Sequence, residues 1–211
     1  MPPARDPLRD FVPSGNPRLD AQLRFTAVID RMTDVKRRTR VLDMSRAEND
    51  AEHSWHIAVM AMLFVEYAIE KPDVAHAIEL LLVHDLVEVY AGDTFAFDTT
   101  GNRDKAAREN AAADRLYAIL PPDQGAWLRN LWREFEDIST VDSKYANCLD
   151  RIQPFYHNTL TEGYTWRHFG TVTLAQVRQR IAILRDFMPA LHDWADRCIK
   201  YAVDQGWLPP E

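Results

Sequence analysis

The spacing of glycine and proline is the feature that most strongly limits what this chain can fold into. Only 7 of the 211 residues are glycine, and no proline occurs between Pro17 and Pro72 or between Pro72 and Pro121. Because glycine and proline interrupt regular secondary structure, long stretches without them favour helices joined by short turns. We find no stretch of sustained apolar–polar alternation rich in β-branched residues. The sequence therefore predicts an all-α chain, a single-domain helical bundle.

Apolar periodicity predicts where the helices lie. We expect helices over residues 19–35, 50–69, 72–90, 103–120, 122–137, 141–160, 173–187 and 189–205, with loops near 91–102 and 162–170. Capping-box patterns at Asn49–Glu52 and Thr173–Gln176 mark two helix starts. The second helix is apolar nearly all round, which predicts a central position. Pro154 is expected to kink or divide its helix.

We predict two parts in the chain: a flexible, proline-rich segment at residues 1–18 and a helical domain at 19–208. Within that domain, residues of about 36–160 form the core of a predicted metal site. The formal net charge is −7, from 25 basic and 32 acidic residues. Proteins that coat nucleic acid are usually basic overall, so the charge argues against a nucleic-acid polymer as partner.

The cysteine content and the hydropathy indicate a cytoplasmic location. Cys148 and Cys198 form no Cys-x-x-Cys pair, which excludes a zinc ribbon or a thioredoxin-like motif. Reduced thiols are expected at this count. The first 17 residues lack the apolar core of a signal peptide, and no stretch reaches 18 apolar residues, so we expect no membrane association.

Ionisable residues in apolar surroundings indicate where chemistry takes place. His84 and Asp85 interrupt the apolar run at residues 77–87, where burying them is costly unless they are paired or bound to a cation. His53 and Asp150 lie in similar surroundings on two other predicted helices. Two imidazoles and two carboxylates suit a divalent ion such as Mn²⁺, Co²⁺, Fe²⁺, Ni²⁺ or Zn²⁺. Glu88, four residues after His84, falls on the same helix face.

In this order, the four candidate ligands resemble the signature of the HD-domain superfamily of metal-dependent phosphohydrolases. Residues 45–56, 84–88 and 91–94 are similar to the 5′-deoxynucleotidase branch of that superfamily. The resemblance implies an all-α fold and one divalent metal of open identity, Mg²⁺ included, held by His53, His84, Asp85 and Asp150. It further implies a homodimer, a catalytic Glu88, and a sugar contact through Asp93, beside which Thr94 is a candidate substrate contact.

The resemblance also implies an arginine that binds phosphate, about 15 positions before the first ligand histidine. A simple offset selects Arg38, whereas matching Arg37-x-Thr39 selects Arg37, and the choice stays open. No histidine lies between Asp85 and Asp150. The branches that resemble cyclic-dinucleotide phosphodiesterases or diiron oxygenases need further histidines there, so a single metal is favoured.

These observations favour a metal-dependent 5′-nucleotidase that removes phosphate from (deoxy)nucleoside 5′-monophosphates. A phosphatase or pyrophosphohydrolase of another small phosphorylated metabolite is the alternative among enzymes. A catalytically silent, metal-binding helical module that serves a protein partner is the alternative from another class. Arg46, Glu48 and Asn49 are expected to support the first ligand, and His56 to pack beside it.

Overall fold

The computed structural model describes residues 6, 8–169 and 172–210. Most of the described chain is helical, so the all-α prediction is confirmed. Residues 1–5 and 7 of the predicted flexible segment, and residue 170 of a predicted loop, lie outside the described residues. The elements are α1 (Pro17–Ile29), β1 (Lys36–Arg40), β2 (Ala47–Asn49), α2 (Asp50–Phe64), α3 (Val74–Val83), α4 (Glu88–Ala91), α5 (Lys105–Tyr117), α6 (Pro122–Asp137), α7 (Val141–Leu160), α8 (Tyr164–His168), α9 (Leu174–Arg180), α10 (Ile183–Phe187) and α11 (Pro189–Asp204).

The helix at the centre of the fold is α7, which packs against α2, α3, α6 and α10. Tyr145, Leu149 and Ile152 on this helix are fully buried. The Tyr145 hydroxyl donates to the Ala61 carbonyl of α2 at 2.8 Å, so a polar tip inside the core is satisfied. Pro154 does not divide the helix, which runs unbroken from Val141 to Leu160.

The prediction that α2 is central because it lacks a polar face is wrong in one respect. One side of α2 is buried, but Trp55, Met62 and Leu63 on the other side are more than 60% exposed. The helix is therefore apolar on a face that the described chain leaves uncovered. Its start is as predicted: Asn49 accepts from the Glu52 amide at 3.0 Å, and Glu52 accepts from the Asn49 amide at 2.7 Å.

The helix predicted over residues 72–90 is interrupted. Helix α3 ends at Val83, residues 84–87 form turns, and α4 begins at Glu88. Gly92 then ends α4 with a φ of 76°, which glycine adopts without steric cost. His84 is the C-terminal cap of α3 and keeps a helical backbone, with φ −56° and ψ −42°, and Asp85 follows it in the turn.

The antiparallel pair β1–β2 is an element that the sequence did not predict. Lys36 pairs with Asn49, and Arg40 pairs with Ala47. Strand alternation leaves Lys36 and Arg38 exposed and turns Arg37 and Thr39 inward. Four of the five residues of β1 are basic, so the sequence shows no apolar–polar alternation there that would predict a strand.

Helix boundaries also differ from prediction. Helix α1 ends at Ile29 rather than at residue 35, and α2 ends at Phe64 rather than at residue 69. Helix α8 occupies a predicted loop, and α9 and α10 replace one predicted helix.

Candidate metal centre

The four predicted metal ligands come from three parts of the fold and lie next to one another. His53 belongs to the first turn of α2, Asp150 to the middle of α7, and His84 and Asp85 follow α3. His53 Nε2 lies 3.2 Å and His84 Nε2 lies 3.8 Å from Asp150 Oδ1. Asp85 Oδ2 lies 3.0 Å from His84 Nε2. One donor atom each from His53, His84 and Asp150 lies within 4.8 Å of the other two.

The hydrogen bonds of the two imidazoles leave one nitrogen of each directed at this cluster. His84 Nδ1 lies 2.7 Å from the Leu81 carbonyl, which only accepts, so Nδ1 carries the proton. Its Nε2 is buried and faces the carboxylates of Asp85 and Asp150 at 3.0 and 3.8 Å. His53 Nδ1 lies 3.0 Å from the Gln153 side-chain oxygen. A buried ring nitrogen that faces two carboxylates, with the other nitrogen fixed by a hydrogen bond, is what a metal-ligand histidine presents.

Negative charge exceeds positive charge around the cluster. Arg37 donates through Nη1 to Asp50 at 3.1 Å and to Asp85 at 2.8 Å, and its Nε lies 3.7 Å from Glu48. The same region holds three further carboxylates, those of Glu88, Asp93 and Asp150. Burial raises the pKa of Glu48 and the pKa of Asp50 to about 7. The donor types and the surplus of carboxylates fit a divalent cation.

The protonation equilibria of the ligands agree with that fit. Burial, with Arg37 nearby, lowers the pKa of His53 to about 4, which keeps its imidazole neutral. Burial also acts to lower the pKa of His84, but the carboxylates of Asp85 and Asp150 outweigh it and raise that pKa to about 9. Asp150 is buried, yet the positive charge of Arg180 holds its pKa well below the ordinary value. The negative potential that favours a protonated His84 would equally attract a metal ion.

A cavity of 360 Å³ opens beside the cluster and is lined by the predicted substrate and catalytic residues, Arg37, Arg38, Glu88, Asp93 and Thr94. Three of the predicted ligands line it as well, while His53 lies fully buried behind them. Burial, together with Asp85 and Asp50, raises the pKa of Glu88 well above its ordinary value. The Glu88 Oε2 atom is buried without a hydrogen-bond partner.

The rest of the cavity wall mixes polar and charged side chains with aromatic ones. Phe95, Phe97, Phe135, Phe155 and Trp166 all line the cavity. Aromatic rings therefore lie among the charged groups of the cavity, and the Phe135 ring is 4.8 Å from the ring of His84. Pockets of this kind suit a small molecule with one ionic and one apolar part.

Sequence reasoning missed two functional candidates, Asp50 and Arg180. Asp50 is fully buried and takes part in the Arg37 network. Its place at the start of a predicted helix gave no sign of such a role. Arg180 on α9 donates to Asp150 Oδ2 at 2.9 Å and lines the cavity. No motif or spacing connects residue 180 to residue 150. By contrast Arg46, expected to support the site, pairs on the surface with Glu52 at 2.8 Å.

A family comparison agrees with this geometry. The profile described as "HD domain" matches residues 29–192 of the chain. The chain belongs to the HD-domain family. This confirms the family that the order of His53, His84, Asp85 and Asp150 predicted.

Relatives of the chain carry names of hydrolases. The human protein named 5′-deoxynucleotidase HDDC2 is 30% identical over 132 residues, 62% of this chain and 63% of the human protein. The fission-yeast protein named 5′-deoxynucleotidase hdd1 is 22% identical over 78% of this chain and 75% of its own length. The chain thus matches under two thirds of the human relative's length.

A solved structure is similar over nearly the whole chain. The predicted metal-dependent phosphohydrolase from Magnetospirillum magnetotacticum superimposes with a TM-score of 0.87 and is 44% identical. The similarity covers 95% of this chain and all of that one. Among the described residues, no helix combines the length and apolar character needed to span a membrane.

Proposed function

We propose that this HD-domain protein is a phosphomonoesterase that depends on one divalent metal and acts on (deoxy)nucleoside 5′-monophosphates. The observation that carries the proposal is the convergence of His53, His84 and Asp150 beside a cavity lined by Glu88 and Asp93. The names of the human and yeast relatives support a deoxynucleotide substrate. The similarity to a predicted metal-dependent phosphohydrolase supports phosphate hydrolysis that needs a metal.

His53, His84, Asp85 and Asp150 would hold the metal. When bound, a divalent ion supplies positive charge to the phosphoryl oxygens and lowers the pKa of a coordinated water. This positive charge would also offset the negative charge of the protein around the site. A protein of net charge −7 with a carboxylate-rich site would otherwise repel a phosphate dianion.

The two candidate arginines would have different roles, one in binding phosphate and the other in holding a metal ligand in place. Arg38 is exposed, lines the cavity and stacks on the Phe169 ring at 5.0 Å, so its guanidinium can turn to meet a phosphate. Arg37 is largely buried and is already bonded to Asp50 and Asp85. We therefore assign the phosphate contact to Arg38, and to Arg37 the task of holding Asp85 in place.

Glu88 would act on the reacting oxygens. Hydrolysis breaks the bond between phosphorus and the 5′-oxygen, water supplies the new oxygen on phosphorus, and the departing 5′-oxygen takes up a proton. The Glu88 carboxyl lines the cavity and has a buried oxygen without a partner, so it is placed to orient the water or to move that proton. Asp93 would accept a hydrogen bond from the sugar. Thr94, whose hydroxyl accepts from Arg108 at 2.9 Å, would fix the adjoining loop.

A phosphate-release screen tests the proposal. The full chain, loaded in turn with Mn²⁺, Co²⁺, Mg²⁺, Fe²⁺, Ni²⁺ or Zn²⁺, is assayed on the eight common nucleoside monophosphates and on sugar phosphates and pyrophosphates. We expect release from deoxynucleotides that is abolished in Asp85→Ala and Glu88→Ala but retained in Glu66→Ala, a change in the segment after α2. Activity only on other phosphorylated metabolites would show that the proposed nucleotide substrate is wrong. A metal-loaded protein inert on every compound would favour the silent module.

We further propose that the chain forms a homodimer through the exposed side of α2. Trp55, Val59, Met62 and Leu63 are exposed and recur at helical spacing, which makes one continuous apolar stripe. A two-fold axis buries the same patch of both copies, and such a patch on a protein surface commonly marks an interface.

The cytoplasmic location stays a prediction that rests on the sequence. Both cysteines of the chain are free thiols, as expected for a reducing compartment.

Light scattering coupled to size exclusion tests the dimer. We expect the wild-type chain to run as a dimer and Met62→Lys to run as a monomer with an unchanged circular dichroism spectrum. Leu160→Lys, which changes an exposed leucine on α7, is the matched control and should remain dimeric. A monomeric wild-type chain, or a dimeric Met62→Lys, would refute this interface.

A further inference from the structure

Gln153 links the candidate metal ligand His53 to the β1–β2 pair. The Gln153 side chain is fully buried on α7, three residues after Asp150. Its oxygen lies 3.0 Å from His53 Nδ1. Its nitrogen lies 2.6 Å from Glu48 Oε1, 3.0 Å from His157 Nε2 and 3.2 Å from His56 Nδ1. The amide therefore has the ligand histidine on one side and three possible acceptors on the other.

The protonation of His157 is fixed from outside this cluster. His157 Nδ1 lies 3.0 Å from the backbone carbonyl of Arg40, at the end of β1. A carbonyl oxygen only accepts, so Nδ1 of His157 carries the proton and Nε2 of the neutral ring is an acceptor. Glu48 Oε1, an oxygen of a side chain in β2, is the second acceptor that faces Gln153.

These two acceptors determine the orientation of the amide. An amide group donates only through nitrogen, so the Gln153 nitrogen must face Glu48 and His157, and its oxygen must face His53. The oxygen can only accept, and His53 Nδ1 must therefore be the protonated nitrogen. The lone pair of His53 Nε2 is then directed at Asp150 Oδ1, 3.2 Å away, where the metal ligands converge.

Glu48, His56 and His157 can also be considered as a second metal site, because one donor atom from each lies within 4.8 Å of the other two. The nitrogen of Gln153 contacts all three of these donors. An amide N–H₂ group is repelled by a cation and attracted by acceptors. The cluster is therefore a binding site for the Gln153 amide rather than for a metal.

We propose that Gln153 is a positioning residue, which with His157 and Glu48 fixes His53 in the tautomer that binds metal through Nε2. The inference rests on the proposed metal centre, and it names the residues that hold one of its ligands, His53, in place. The β1–β2 pair contributes twice to this chain of hydrogen bonds, through the Arg40 carbonyl of β1 and through Glu48 of β2. Gln153 and His157 of α7 connect both to His53 of α2, and the chain thereby fixes the tautomer of His53. Partners of this kind hold the ring and raise the basicity of the ligand.

Metal affinity measures the role of Gln153. Gln153→Met keeps the length of the side chain but removes the acceptor, and we expect the Kd for Mn²⁺ or Co²⁺ to rise about 10- to 100-fold. The measurement is isothermal titration calorimetry on the full chain, with urea unfolding to show that the variant folds. His157→Phe should weaken affinity less, because Glu48 still holds the amide. His168→Phe is the control, since its Nδ1 also lies near a carbonyl, that of Tyr164, but on the surface.

The tautomer can be observed without any substitution. In ¹⁵N-correlated NMR spectra of the metal-free wild-type chain, we expect both His53 and His157 to carry the proton on Nδ1. In Gln153→Met, His53 should become a mixture of tautomers while His157 does not change, and a purely structural role for Gln153 would not produce this pattern. A wild-type His53 protonated on Nε2, or a Gln153→Met affinity within about twofold of wild type, would overturn the inference. A wild-type chain that binds no metal would instead overturn the proposed function.

Discussion

Arg37 and Arg38 are adjacent in the chain but lie in different electrostatic environments. Strand alternation in β1 turns Arg37 towards Asp50, Asp85 and Glu48, and it leaves Arg38 exposed at the cavity. The carboxylates that surround Arg37 raise its pKa above the ordinary value despite its burial. One arginine is therefore part of the framework of the site, and the other is available to a ligand.

This difference predicts two distinct phenotypes. Arg38→Gln should raise KM for a nucleotide about 10- to 100-fold, the effect of losing a charge-assisted hydrogen bond, with no change in the free energy of unfolding. Arg37→Gln should lower that free energy by roughly 3 kcal/mol and abolish activity, because two buried carboxylates lose their partner. Steady-state kinetics and urea unfolding measure the two effects.

Lys36→Gln is the matched control for both arginines. It removes one positive charge from the same strand but changes an exposed side chain that does not line the cavity. We expect kinetics and stability close to wild type. If all three variants raise KM equally, the net charge of the strand matters rather than a particular contact, and the assignment of Arg38 is wrong.

The predicted ligands were recognisable at the residue scale because burying an ionisable group is costly. His53, His84 and Asp150 are buried, as their apolar neighbours in the sequence indicated. Gln153 and Arg180 gave no such signal. A glutamine in a helix and an arginine outside the matching motifs are common on protein surfaces, so only their contacts distinguish them.

At the scale of elements, the start of α2 connects local helix chemistry to the metal centre. The capping box of Asn49 and Glu52 lies within one turn of His53. We expect Asn49→Ala to reduce the free energy of unfolding by about 1 kcal/mol, because the side chain that caps the first turn is lost. It should also weaken metal binding, since His53 belongs to the turn that would fray.

Asn16→Ala separates these two effects. Asn16 caps α1, where its side chain accepts from the Arg18 amide at 3.0 Å, and it does not line the cavity. Urea unfolding and calorimetric metal titration of both variants make the comparison. A similar loss of stability with unchanged metal affinity is expected for Asn16→Ala. Equal losses of affinity in the two variants would contradict a specific role for the α2 cap.

The interruption after α3 explains why helix periodicity described this region incompletely. Residues 77–87 have the apolar content of a continuous buried helix, and nothing in that stretch is a helix breaker. The chain leaves the helix at His84 even so, and His84 and Asp85 approach each other at 3.0 Å beside the cavity. Tertiary contacts therefore decide where α3 ends, against the local preference.

At the scale of the whole molecule, metal binding should stabilise the fold. The ligands join α2, α7 and the turn after α3, so they come together only in the folded chain. A ligand that binds only the folded state stabilises it by about 2.7 kcal/mol when its free concentration is about 100 times Kd. We expect a chelator to lower Tm and added metal to restore it, as measured by scanning calorimetry.

Asp85→Asn provides the comparison for this effect. The substitution keeps the size of the side chain but removes an anionic ligand, so metal should raise Tm much less than in the wild-type chain. If metal raises Tm equally in both proteins, it binds elsewhere. Elemental analysis of the two proteins gives an independent measurement of metal content.

The amino-acid sequence alone was enough to predict the helical class and two capping boxes, and it singled out the residues that we propose as metal ligands. These follow from local rules: which residues break helices, which cap them, and which are costly to bury. The β1–β2 pair, the break after α3 and the partners Gln153, Arg180 and Asp50 became visible only in the folded chain. They depend on contacts between residues up to 105 positions apart, such as that of Gln153 with Glu48, and local sequence carries no signal for them.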